Sequence, residues 1–288
     1  MYNILGMAYQ RNFYDDQFVI INSNQLKGVQ SFDGSWSLPK NNMTAAGYES
    51  VGSEIEGQLI GQVSVDRIII DSSDPIPALL GSSIDGELIY GPNQAANKSF
   101  YFDVGYIDSY NSSCSIGEIA RSNFGLTAYG NIGEKGSASS ASYSPYTPKV
   151  ATANSMTLTT SFGDTNAIQS YNLDLSLDVN PIYKIGSMFI PSKFEIATPI
   201  VITTSFEIFA SEYEIKNIMD GVCSSDFVEN LAISLNEKCN GPAIRTFTLD
   251  NAELIDTNIS AGIGDNLSIS LEFQNLYSDI STLVSEVF

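Results

Sequence analysis

Most of this chain consists of alternating or continuous runs of apolar, β-branched and aromatic residues, the pattern of β-strands. Gly, Pro, Asn, Asp or Ser residues bound each run. About seven short strands are predicted in each half, which is typical of a β-sandwich or barrel. The predicted strands are 18–23, 30–38, 62–71, 86–90, 99–106, 107–116 and 123–129, then 156–162, 168–177, 199–209, 227–235, 244–250, 253–259 and 266–273.

Helical signals are few. Ser211 and Glu214 have the spacing of a capping box, apolar residues follow on one face, and Gly221 can end the helix. The short stretch 74–81 is its counterpart in the first half. The predicted fold class is therefore all-β, with two similar sandwich or barrel domains in tandem and at most short helices.

The tandem arrangement is predicted because part of the sequence occurs twice. Residues 30–47 align without a gap on 169–186, at a spacing of 139, and six of the eighteen positions are identical. A weaker match, at a spacing of 143, aligns 116–128 with 259–271. We interpret both as traces of one folding unit used twice. Trp36 and Leu175, like Leu38 and Leu177, should then occupy equivalent core positions.

The length and the composition between the halves set the domain boundaries. The chain has 288 residues, enough for two domains that each bury a core. A stretch rich in Gly, Ser, Ala and Pro separates the halves and resembles a linker. The predicted organisation is a first domain over 1–130, a linker over 131–155 and a second domain over 156–288.

The charge excludes some ligands. The formal net charge is −20, although 43% of the residues are hydrophobic. Such a surface repels phosphate groups, so tight binding of nucleic acid or of an anionic membrane is not expected. Residues 1–10 lack the basic start of an export signal, and no segment is apolar enough for a membrane helix, so synthesis in the cytoplasm is expected.

Candidate chemistry is sparse, because the chain contains no histidine. Histidine-dependent nucleophile systems and histidine metal motifs are therefore excluded. The three cysteines are interpreted as idle or buried thiols, in preference to a disulfide between the second and third. Two acidic groups are interpreted as solvated strand ends. These are Asp66, Asp71 and Asp74, and Asp250, Glu253 and Asp256. No catalytic, cofactor-binding or metal-binding residue is predicted.

Two long segments between predicted strands, 39–59 and 178–198, are more apolar than solvated loops should be. Either they fold back on their own domain or another copy of the protein covers them. The candidate contact residues are Met43, Tyr48, Met188, Phe189 and Phe194.

Several segments resemble a known family. Residues 104–112 with 117–120 and 124–128 form a strand, turn and strand pattern that is similar to tail tube proteins of tailed bacteriophages. Residues 251–259 with 262–265 and 267–271 resemble it again, and the start at 29–39 is similar to phage tail proteins of this size. The second copy departs from the first at Leu173 and Asp174, which replace Gly34 and Ser35.

The resemblance implies a β-sandwich protein whose copies form rings, which stack into a hollow tube that conducts the genome. It places the protein in the virion tail, with itself and tail proteins such as a tape measure as partners. The candidate contact residues would then join successive rings. DNA would pass without tight binding, because acidic walls neutralise no phosphate charge. No membrane partner, cofactor or enzymatic activity is expected.

Because each chain is expected to contain two similar halves, three chains would supply six similar units. A ring of three chains with pseudo-sixfold symmetry is therefore favoured over a ring of six chains. The alternative function is a carbohydrate-binding or adhesin-like β-sandwich protein, for which exposed aromatic residues in a groove would be the sign. A β-sandwich glycosidase would need two carboxylates that face one cleft.

Overall fold

The computed structural model describes residues 18–38, 40–42, 54–56, 58–70, 74–90, 98–135, 149–151, 155–160, 163–165, 168–186, 190–209, 228–237, 241–260 and 267–288. The chain is all-β with short helices, as predicted. The strands are β1 (Phe18–Ile21), β2 (Asn24–Gln25), β3 (Val29–Ser37), β4 (Lys40–Asn42), β5 (Glu54–Glu56), β6 (Ile60–Ile68), β7 (Ile84–Tyr90), β8 (Lys98–Ser115), β9 (Arg121–Lys135), β10 (Met156–Thr160), β11 (Gly163–Thr165), β12 (Ile168–Ser176), β13 (Val179–Ile182), β14 (Lys193–Ile196), β15 (Ile200–Phe209), β16 (Val228–Asn236), β17 (Ala243–Ser260) and β18 (Ser268–Tyr277).

The strand order of the first half recurs in the second. In the first half the strands pair in the order β2-β1-β7-β8-β9-β6-β3. In the second half the order is β11-β10-β16-β17-β18-β15-β12. In each half a separate two-stranded hairpin lies in sequence between two strands that pair with each other: β4 with β5 lies between β3 and β6, and β13 with β14 lies between β12 and β15. All these pairings are antiparallel, so the two halves share one topology.

The pairing registers also recur, down to the bulges. β3 has a bulge against β6 between Val29 and Ser31, and β12 has one against β15 between Ile168 and Ser170, 139 residues further. Trp36 pairs with Gly61 and Leu175 with Ile202, so the two residues hold equivalent positions.

Burial differs between these equivalent positions. Leu175 and Leu177 are buried, but Trp36 and Leu38 are exposed, so the prediction that both members of each pair lie in a core is wrong for the first half. Among the strands that the structure describes, β3 pairs only with β6, whereas β12 lies between β15 and β8. Trp36 is therefore exposed because no described strand pairs with the outer edge of β3.

The longest strands were predicted as two strands each. β8 and β17 are single strands of eighteen residues that continue, with bulges, through the expected breaks. Against β9, β8 has one of its two bulges between Ile107 and Ser109, and against β18, β17 has its bulge between Leu254 and Asp256. These positions are 147 residues apart, so the alignment at a spacing of 143 is not reproduced. A β-bulge bends a strand while the hydrogen-bond ladder continues beyond it. The sequence at such a bend resembles that of a turn between two strands.

The two described helices are short. α1 (Ile76–Leu79) lies within the stretch expected to be helical in the first half, whereas the helix predicted at 211–221 falls outside the described residues. α2 (Ile280–Val287) was not predicted. Asp279 caps it by accepting a hydrogen bond from the Thr282 N–H at 2.8 Å, and Leu283 and Val287 are buried.

One continuous cluster of buried apolar side chains extends through both halves. It follows the alternation of the strands, as in β15, where every second residue from Ile200 is buried. β9 extends to Lys135, five residues into the predicted linker. None of the helices described is long and apolar enough to span a bilayer.

Candidate assembly interface

The two halves of the chain are joined by a strand pairing. β12 of the second half pairs antiparallel with the last third of β8, from Ser170 opposite Ser115 to Ser176 opposite Ser109. Backbone hydrogen bonds of 2.7 and 2.8 Å extend the ladder at its ends, from Leu177 N–H to the Asp108 carbonyl and from Ile116 N–H to the Gln169 carbonyl. This internal junction makes one sheet of the two halves.

One face of the internal junction is apolar and fully buried. Leu175 lies opposite Tyr110, and Leu173 lies opposite Ser112. The Ser112 hydroxyl lies 2.9 Å from the hydroxyl of Tyr171. Burial raises the pKa of Tyr171, although the hydrogen bond with Ser112 opposes this, so the phenol stays protonated and neutral. These groups hold the halves together without carrying a charge.

The other face of the junction carries a polar network. Asn111 on β8 donates hydrogen bonds to Asn172 at 2.8 Å and to Asp174 at 2.7 Å, both on β12. Asn172 also donates to Asp174. The amide of Asn111 thus recognises two side chains of the facing strand, which fixes the register of the pairing.

The hairpin of β13 and β14 adds a second contact between the halves. Phe194 on β14 stacks on Tyr106 of the first half, with ring centroids 3.4 Å apart, and lies 5.3 Å from the ring of Tyr129. Ile190 lies against Gly130, where an added Cβ would be 3.1 Å from its side chain. The hairpin thus covers the surface of β8 and β9.

The end of α2 adds a third contact. The ring of Phe288 lies edge-on to Tyr110 of the first half at 5.3 Å and to Phe247 of the second half at 5.9 Å. Ile280, at the start of α2, lies against Gly81 of the first half. The helix therefore packs across the junction.

The two strand segments that the repeat makes equivalent to this junction have no further partner among the described strands. β3 is equivalent to β12, and the end of β17 is equivalent to the end of β8. Among the strands described, β3 pairs only with β6, and residues 254–260 pair only with β18. Large apolar side chains are exposed on both: Trp36 is 47% exposed, Ile255 47% and Ile259 45%. These two edges, which we call the β3 edge and the β17 edge, are the candidate assembly interface.

The predicted contact residues have mixed outcomes. Met43, Tyr48, Met188 and Phe189 lie outside the described residues, and their contact between rings stays a prediction. Phe194 is half-buried and is occupied by its stacking on Tyr106 within the chain. Sequence reasoning missed the two edges. The repeat is the sequence signal that could have revealed these edges, because it aligns Trp36 with Leu175, which is buried in the second half.

The acidic groups considered for chemistry are partly engaged in ion pairs. Asp74 was expected to be a solvated strand end, but its side chain is only 6% exposed and its Oδ1 lies 2.6 Å from Nη1 of buried Arg67. It also accepts hydrogen bonds from the Tyr110 hydroxyl and the Ile76 N–H. Asp66 pairs with Arg121 at 3.1 Å near the surface, and Asp71 lies outside the described residues.

In the second acidic group, Asp250, Glu253 and Asp256 are exposed, as expected, but they lie within the continuous strand β17 and not at strand ends. Within the described part of the chain, no three Cys, Asp or Glu residues are grouped so that they could hold a metal ion. Cys114 is a buried free thiol, and burial, with the nearby Glu118 charge, raises its pKa to about 11.

A polar cleft of about 310 Å³ lies beside β7 and β8, lined by Asp85, Glu87, Asp103, Tyr101 and Lys135 among others. Glu87 accepts a hydrogen bond from Ser99, and Lys135 lies over the ring of Tyr101 at 4.1 Å. Both charged groups are therefore held by neighbours of their own chain.

No protein-family model matches the chain, and no curated protein matches it at a significant level. The geometry described above is therefore the basis for a functional proposal.

Proposed function

We propose that this protein is a structural subunit of a bacteriophage tail tube, which forms rings that stack into an acidic-walled conduit for the genome. One observation carries the proposal. In the described part of the chain, one junction joins the two units, and both halves of a second such junction are left open at the β3 edge and the β17 edge. A surface of this kind is completed by another copy of the same chain.

The two edges differ from each other, so the contact between copies is head-to-tail. Head-to-tail contacts close into rings when the rotation per subunit divides a full turn, and otherwise give open filaments. We propose three chains per ring, because each chain then supplies two units and six similar units surround the centre. Closure also removes the exposed strand edges, which are otherwise sites of unspecific aggregation.

The charge supports a conduit. A formal net charge of −20 gives the ring walls a potential that repels DNA phosphates. No counterions are released on contact, so the genome gains no affinity for the wall and can slide past it. The protein itself acts by assembly, without an active site.

Electron microscopy of the concentrated, purified protein tests the proposal. Rings with threefold repetition and six lobes, and hollow stacks of such rings, are expected across a range of salt and pH. A protein that stays monomeric in every condition, in sizing columns and in negative stain, would refute the tube. Binding to a panel of oligosaccharides by such a monomer would instead favour the carbohydrate-binding alternative.

A further inference from the structure

We propose that the β3 edge of one copy pairs antiparallel with the β17 edge of the next copy in one defined register, with Trp36 opposite Thr257 and Gly34 opposite Ile259. This inference rests on the proposed assembly into rings and specifies the contact that closes them. The occupant of each edge is a second copy of this chain.

The register follows from the internal junction. β3 is equivalent to β12 at a spacing of 139, because their bulges against the next strand coincide. The end of β17 is equivalent to the end of β8 at a spacing of 147, again because the bulges coincide. Inside the chain, Leu175 lies opposite Tyr110. Transferred to the open edges, that pair becomes Trp36 opposite Thr257.

Side-chain sizes on the apolar face support this register. In the internal junction, Leu175 faces the larger Tyr110, and Leu173 faces the small Ser112. At the open edges the large and small residues are exchanged. Trp36 replaces a leucine where Thr257 replaces a tyrosine. Gly34 replaces a leucine where Ile259 replaces a serine.

Directly opposite side chains contact each other, so a larger residue on one strand can compensate for a smaller residue on the other. The combined volume of each opposite pair therefore stays similar. A shift by two residues would place Trp36 opposite Ile259, with Gly34 no longer facing a large residue. The sizes therefore fit one register better than its nearest alternative on the same face.

The polar face supports the same register. Asn111, which recognises β12 in the internal junction, has an asparagine as its equivalent, Asn258, on the exposed face of β17. The equivalents of its two partners, Asn172 and Asp174, are Asp33 and Ser35. Asp33 offers carboxylate acceptors to the Asn258 amide, and Ser35 offers a hydroxyl. The pairing thus retains its recognition residue while the partners change.

A disulfide between copies tests the register. Ser35 and Asn258 face each other in the inferred ladder at a pair that is not hydrogen-bonded, where Cα atoms lie about 4.5 Å apart. Ser35→Cys combined with Asn258→Cys should give, after mild oxidation of the assembled protein, covalent dimers and trimers in denaturing gels. The matched control, Ser35→Cys with Ser260→Cys, moves one thiol along the strand by two residues. Its Cα separation of about 7–8 Å should give few such products.

The outcomes separate the two proposals. Rings that form without cross-linking at 35 and 258, or that cross-link as well in the control, would overturn the register and leave the tube intact. Failure of the wild type to assemble would remove the tube and the register together.

Hydrogen exchange of wild-type protein gives a readout that needs no variant. On assembly, the amides of Trp36, Thr257 and Ile259 should become protected, while those of the turn at 116–119 should not. Unchanged exchange at all three edge amides in formed rings would also overturn the register.

Discussion

Removing the Trp36 side chain should weaken ring closure far more than it weakens the fold. Trp36 is 47% exposed, and its ring lies tilted against that of Phe100, at a centroid distance of 5.6 Å. A tryptophan side chain presents up to about 250 Å², so its exposed part is about 120 Å². At about 25 cal/mol per Å², covering that part at the interface contributes about 3 kcal/mol per junction.

Trp36→Ala should therefore raise the protein concentration needed for ring formation by roughly 100-fold, since about 1.4 kcal/mol corresponds to a factor of ten. Mass photometry or sizing over a dilution series measures this. Ile119→Ala is the matched control, because Ile119 is 40% exposed on the turn after β8 and lies on neither edge. Assembly of Trp36→Ala at the wild-type concentration would refute the interface, provided that urea unfolding shows the variant monomer to be folded.

Three further predictions concern single positions. Thr257→Pro should block rings and spare the fold, because the alternation along the strand directs the N–H of Thr257 to the open edge. Asn258→Pro instead removes a hydrogen-bond donor to β18 and should lower the Tm. Equal melting of the two variants would contradict this alternation. Asp74→Ala should cost about 3–5 kcal/mol in urea unfolding because it leaves the Arg67 charge buried and unpaired. Asp66→Ala breaks a partly exposed pair with Arg121 and should cost less than about 1 kcal/mol. Hydrogen bonds from the Ser281 hydroxyl and the Thr282 N–H hold the pKa of Asp279 well below its ordinary value. Asp279→Ala should therefore lower the Tm by its full amount above about pH 4, and the Tm difference between wild type and variant should shrink as the pH falls through the lowered pKa. A Tm difference that grows with acid would show that the cap does not act through its charge.

The sequence by itself determined the strands and indicated the repeat. The alternation of apolar residues reflects the two faces of each strand, and this local property survives in any tertiary context. The match of 30–47 with 169–186 placed β3 and β12 in equivalent positions, at the spacing that the pairing registers show. The helix α2 also had a local signal that was not used, since Asp279 precedes Ile280, Leu283 and Val287 at helical spacing.

Only the tertiary structure decided which of these equivalent strands is covered. Trp36 and Leu175 are both apolar residues in equivalent strands, and nothing local distinguishes them. Leu175 is buried because β8 of the other half pairs with its strand, and Trp36 is exposed because no described strand pairs with its own outer edge. The bulges in β8 and β17 likewise depend on their partner strands, as does the ion pair of Asp74 with Arg67. Burial at a strand edge is a property of two strands, so one strand's sequence cannot specify it.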